Sequence, residues 1–149
     1  MPRSSLSASR APVVGRIRRS RRRALRSIAM SVPTFAGEEH LALSIRSPPL
    51  VGHTPGHSGV VVSAGDRTVY VVGDLVHLPA VQGPRPCATG MVFDVDSDAA
   101  ADTRAAFLER AVAERLVIAG GHTEYPGLTR VLAHVGGFRL QPELWAEWA

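Results

Sequence analysis

One stretch constrains this chain more than any other. It begins with Gly52-His53-Thr54-Pro55-Gly56-His57-Ser58-Gly59 and continues through the apolar run Val60-Val61-Val62. After a Gly65-Asp66 turn it ends with Thr68-Val69-Tyr70-Val71-Val72-Gly73-Asp74. Two β-rich runs separated by a turn dipeptide predict a hairpin, so a histidine before the first strand and an aspartate after the second can meet on one rim of a sheet. Neutral imidazole and carboxylate are both ligands for zinc and related first-row ions. An ion that keeps an open position can turn bound water into hydroxide near neutral pH. A third donor is expected at His122, which follows the buried-looking run Leu116-Val117-Ile118-Ala119. It sits in Gly120-Gly121-His122, where glycines let the backbone turn sharply at a strand end.

His53-Thr54-Pro55-Gly56-His57, Gly73-Asp74-Leu75-Val76-His77 and Gly121-His122 followed by Tyr125-Pro126-Gly127 together resemble the C-terminal half of a metallo-β-lactamase-fold hydrolase. Ala80-Val81-Gln82 and Phe93-Asp94-Val95-Asp96 make the methyl-parathion-hydrolase-like branch the nearest likeness, which extends from about Val51 to Pro142. The resemblance implies an α/β (α+β) fold: the C-terminal half of an αββα sandwich over residues 41–149, with a disordered basic arm over residues 1–40. It also implies a metal-dependent hydrolase of an ester-like small molecule, such as a lactone or phosphotriester. The cofactor would be two divalent ions of the zinc type. His53 would bind one ion and His122 the other, Asp74 would bridge them as the catalytic carboxylate, and His57 would support the site without ligating.

The same family carries a His-x-His-x-Asp-His motif about a hundred residues earlier. That motif is absent here, and His40 is the one histidine that precedes His53. A dinuclear site would therefore be short of donors. Two alternatives stand beside the hydrolase. One is a catalytically inactive, truncated half-domain that self-associates through an exposed inner sheet face. The other is an arginine-driven nucleic-acid binder.

Charge bears on the last of these. Nine of the 17 basic residues and none of the 13 acidic ones fall in the first thirty positions, so the net charge of +4 hides an acidic remainder. Every basic residue is arginine, a usage that suggests GC-rich coding DNA. An out-of-frame reading of such DNA also yields Arg, Ser, Pro and Ala, so a mistranslated head in place of a native N-terminal half is one reading. Residues 1–26 show no apolar stripe, which favours a solvated arm. Arg16 to Arg26 could line phosphates, but no aromatic is interleaved and no zinc or helix-turn-helix spacing occurs. Ser20 to Arg26 faintly resembles a twin-arginine export signal, although its apolar part is short and holds Pro33. With no disulfide framework and no membrane span, the cytoplasm is the expected location.

Along the rest of the chain, Leu41 to Ile45 alternates as one half-buried strand would, and Pro48-Pro49 stops it. The apolar runs Val60–Val62 and Val69–Val72 predict central strands covered on both faces. Leu75 to Gly90 reads as a long loop shaping a substrate pocket, with Pro79, Pro84 and Pro86 denying it regular structure. His77 is expected to pack beneath that loop, and the lone Cys87 to be inert. Asp94, Asp96 and Asp98 fail the calcium-loop template; Asp96 or Ser97 is read as the helix cap, with the extra carboxylates suited to the positive helix end. The helix they start is expected to run to about Arg115, with Phe107, Leu108, Ala111 and Val112 inward and Arg104 solvated. Val131–Val135 and Phe138–Leu140 predict a second hairpin containing a structural His134. Trp145 and Trp148 would end the chain on a short helical tail.

Overall fold

The computed structural model describes residues 34–88 and 90–143. Its contacts divide the chain into Met1–Phe35 and Ala36–Ala149, and the second unit holds every element below. The arginine-rich head and the Trp145/Trp148 tail lie outside the described residues.

Seven strands form one sheet in chain order: β1 (Glu39–Ala42), β2 (Ile45–Ser47), β3 (Val60–Ala64), β4 (Arg67–Gly73), β5 (Val117–Gly120), β6 (Leu128–His134) and β7 (Gly137–Pro142). Two helices, α1 (Pro79–Gln82) and α2 (Ser97–Ala113), occupy the connection between β4 and β5. The mixed sheet with few helices is the α/β class that the sequence implied. Every neighbouring pair is antiparallel except β4–β5. A parallel pair cannot be joined by a tight turn, and the long crossover through α2 meets that need.

The β3–β4 hairpin forms as its turn chemistry requires. Ala64 pairs with Arg67 across Gly65-Asp66, and Gly65 takes a φ of +62° that a residue with a Cβ adopts reluctantly. β6 and β7 form the second hairpin across Val135-Gly136, with His134 opposite Gly137. Asp96 caps α2, its carboxylate accepting the Ala99 N–H at 3.0 Å.

One face of the sheet packs on α2. Val61, Tyr70, Val72, Ile118 and Val131 meet Phe107, Leu108 and Ala111, and Leu75 and Val76 close the core at the rim. The Tyr70 hydroxyl, between β2 and α2, accepts hydrogen bonds from Arg46 and Arg110. The opposite face is open: Val62 and Val71, one strand apart, are 38% and 41% exposed. The expected cover on both faces of β3 and β4 is therefore present on one.

Three further expectations are corrected. Leu41 to Ile45 is not a single half-buried strand. The chain reverses at Leu43-Ser44, Ala42 pairs with Ile45, and β2 returns to pair with β3, leaving Leu41 and Leu43 exposed. Within the loop after β4, Pro79 starts α1 instead of forbidding it, because the first helical position needs no N–H. Arg104, expected in solvent, is 1% exposed. Its Nε donates to Leu75 O at 2.9 Å and its Nη1 to Pro86 O at 2.8 Å, so it ties α2 to the loop that follows β4. Burial pushes its pKa down, with Asp94 opposing that shift.

Replacing Arg104 with Leu strips its donors from the Leu75 and Pro86 carbonyls. Urea unfolding should show a loss of about 2–4 kcal/mol, well beyond that of an exposed arginine.

Candidate metal centre

Strand direction assembles the site. β4 and β5 run parallel, with Gly73 beside Gly120, so Asp74 and the Gly121-His122 turn emerge at the same rim. β3 runs the other way and begins there, with Val60 opposite Val71, which brings the 52–59 loop to the same rim. That loop is docked on the start of α2: Val95 N–H donates to His53 O at 3.0 Å and Asp96 N–H to Gly52 O at 3.1 Å. Gly52 has a φ of +129°, and a Cβ there would lie 2.3 Å from the Ala100 backbone, so no larger residue fits.

Asp74 stands between two histidines. Its Oδ2 is 3.3 Å from His53 Nε2 and its Oδ1 is 3.4 Å from His122 Nε2. Both spacings exceed the usual range for a hydrogen bond. They match two donors on one tetrahedral ion with bonds of about 2.0–2.1 Å, which sit roughly 3.3 Å apart. One carboxylate oxygen toward each histidine is the arrangement of a bridging ligand, so the donor set fits divalent metal.

The tautomers follow from the partners. His53 Nδ1 lies 3.1 Å from Asp94 Oδ1, and an ionised carboxylate only accepts, so Nδ1 carries the proton and Nε2 presents its lone pair. The Asp94 side chain is 1% exposed, and its Oδ2 also accepts the Met91 N–H at 3.0 Å. His57 Nδ1 donates to Leu50 O at 2.6 Å while its Nε2 accepts the Asp74 N–H at 3.1 Å. With both ring nitrogens engaged, His57 has no lone pair to offer an ion. Its contact holds the Asp74 backbone.

His122 is turned by Thr123, whose Oγ1 lies 2.9 Å from Gly120 O and 3.0 Å from Gly127 O. The Asp74 and His122 side chains are 44% and 47% exposed, whereas His53 is 18% exposed. The centre is open on the His122 side. A cavity of about 340 Å³ is walled by Thr123 and Glu124, which follow His122 in sequence, together with Pro79, Ala80, Phe138 and Leu140; none of His53, Asp74, His77 and His122 lines it. Pro79, Ala80 and Pro84 of the loop after β4 line this cavity.

The geometry brings in two residues that sequence reasoning assigned elsewhere. Asp94, read as an extra carboxylate for the helix end, is engaged elsewhere. It sits behind His53, which is 41 residues away in sequence, and nothing local separates it from Asp96. His77 is not simply packed under the loop: its ring lies 5.1 Å from that of His53 and 4.8 Å from that of His122. Burial lowers its pKa, Asp74 opposes, and the two neighbouring histidines reinforce the shift. The available signal was its place three residues after Asp74 in one tight turn. His40 lies on edge strand β1, outside the cluster, and Cys87 is exposed.

The family model described as metallo-beta-lactamase superfamily matches residues 3–122. Among solved structures the chain is similar to AidC, a dizinc quorum-quenching lactonase in complex with a product. The TM-score is 0.81 at 25% identity, over 88% of this chain and 44% of that one. It is also similar to the hydrolase AbOPH of the beta lactamase superfamily, with a TM-score of 0.71 at 21% identity over 88% of this chain and 45% of that one. A probable metal-dependent hydrolase from Staphylococcus aureus matches with a TM-score of 0.59 at 13% identity, over 78% of this chain and 42% of that one. The chain spans less than half the length of each of these three. No curated protein matches the sequence.

Long-range proton–nitrogen NMR should find His57 as the Nδ1–H tautomer. A Cβ at position 73 would lie 2.8 Å from His57 Nε2 and would meet a φ of +55°, so Gly73→Ala should perturb that signature and cost about 1–2 kcal/mol.

Proposed function

The chain belongs to the metallo-beta-lactamase superfamily, and from that membership we propose that it serves metal-dependent hydrolysis of an ester-like bond in a small molecule, a lactone or a phosphotriester. The observation that carries this reading is the Asp74 carboxylate, with one oxygen toward His53 and the other toward His122. The dizinc centre named for AidC, at 25% identity, supports zinc as the ion and two ions as the complete complement. The run from Asp74 to Gln82 supports the methyl-parathion-hydrolase-like branch.

In a complete two-ion centre of this family, His53 and His122 would each hold an ion that Asp74 spans. A divalent ion there supplies Lewis acidity and brings the pKa of a coordinated water toward neutrality. The chain's own residues set the stage for that chemistry. Asp94 orients His53, His57 fixes the Asp74 main chain, and Thr123 shapes the His122 turn. The half-exposed side of Asp74 and His122 leaves an approach for substrate. The family's His-x-His-x-Asp-His donors are missing from this sequence, so these residues form part of a dinuclear ligand set.

With zinc added, hydrolysis of an acyl-homoserine lactone or a phosphotriester should vanish with a chelator and in His53→Ala or Asp74→Ala. Rates indifferent to chelator and to both substitutions would refute the reading. Asp94→Asn should weaken zinc binding by roughly 10- to 100-fold in a chelator competition, because His53 loses its orienting carboxylate.

One observation favours the inactive half-domain as a second reading: the open sheet face that carries Val62, Val71 and Leu132. On that reading two copies pair through this face. Sedimentation should then show mass rising with concentration and Val71→Glu reversing it, whereas a monomer at every concentration contradicts the pairing.

A further inference from the structure

We propose that this chain binds a single divalent ion through His53, Asp74 and His77, making His77 a ligand that the two-ion arrangement leaves out. The inference rests on the metal-centre reading above and changes its stoichiometry and ligand set. Among the described residues, His53, Asp74 and His77 are the one group of three potential donors whose ligand atoms all lie within 4.8 Å of one another. His53 Nε2 and Asp74 Oδ2, at 3.3 Å, already have the separation of two ligands on one ion. A movement of the His77 ring on the order of 1 Å, within reach of a side-chain torsion, would close the third edge.

Two further observations point to His77. Its Nδ1 is buried and has no hydrogen-bond partner, a condition that a native structure rarely leaves unanswered. Its position is also fixed from behind. Gln82, fully buried, accepts the N–H of His77 at 2.7 Å and that of Leu78 at 3.0 Å through Oε1. Leu75 and Val76, between Asp74 and His77, are both buried anchors. The turn therefore delivers carboxylate and imidazole together to His53, whose Nδ1–H is already committed to Asp94.

Three protein donors and one open position make the arrangement of a catalytic zinc site, and it needs nothing from the absent His-x-His-x-Asp-His motif. His122 stays beside it, facing the other oxygen of Asp74.

Cobalt(II) titration of the full chain, followed by its visible absorption, tests the proposal. Saturation is expected at one ion per chain, with His77→Ala weakening binding at least about 10-fold. His77→Cys should restore binding and add a thiolate-to-cobalt charge-transfer band that wild type, which already has the exposed Cys87, does not show. Saturation at two ions, unchanged affinity in His77→Ala, or no charge-transfer band in His77→Cys would overturn it. If His53→Ala and Asp74→Ala abolish binding while His77→Ala does not, this inference fails and the metal-centre reading stands. If none of the three changes binding, both fail.

Discussion

The parallel pairing of β4 and β5 is the constraint from which the site follows. Backbone hydrogen bonds align Gly73 with Gly120, and because the strands point the same way, the residues after them leave the sheet side by side. Had β5 entered antiparallel, Asp74 and His122 would stand at opposite ends of the sheet. The direction is made possible by the crossover, and α2 covers the sheet face whose packing holds the two strands. The chemistry at the rim is thus a product of topology before it is a product of side chains.

Behind the rim, the loop after β4 is held by polar groups. Arg104 reaches two carbonyls from within the core, and Gln82 gathers two amides, so backbone that leaves regular structure still finds partners. On the other flank, Gly52 allows the His53 loop to lie against the first turn of α2 with no room for a side chain. Both flanks lean on the same helix. Position at the site is therefore coupled to the packing of α2 far more than to local loop preference.

Much of this was legible in the chain because it is written locally. Gly65-Asp66 between valine-rich runs gives the β3–β4 hairpin, Gly136-Gly137 gives the β6–β7 hairpin, and Asp96 with its apolar stripe gives α2. The strand-end placement of His53, Asp74 and His122 came from the same cues, and the structure brings the three together. What stayed hidden depends on distant partners. Arg104 has the spacing of a solvated residue, yet it is buried and donates to carbonyls 18 and 29 positions away. Asp94 and Asp96 look alike in sequence, yet one turns to His53 and the other to a helix amide. His77 became a site residue because the turn after Asp74 curls toward the rim, which composition and periodicity do not specify. Leu41 to Ile45 misled because alternation suggests a strand without saying where it folds back.

The manner in which Asp74 is tethered has a consequence for the centre. His57 grips its main-chain amide, while His53 faces one carboxylate oxygen and His122 the other. A fixed main chain beneath a carboxylate with one oxygen toward each imidazole separates the two jobs at this position: the sheet end is set by the amide, and the rim by the headgroup.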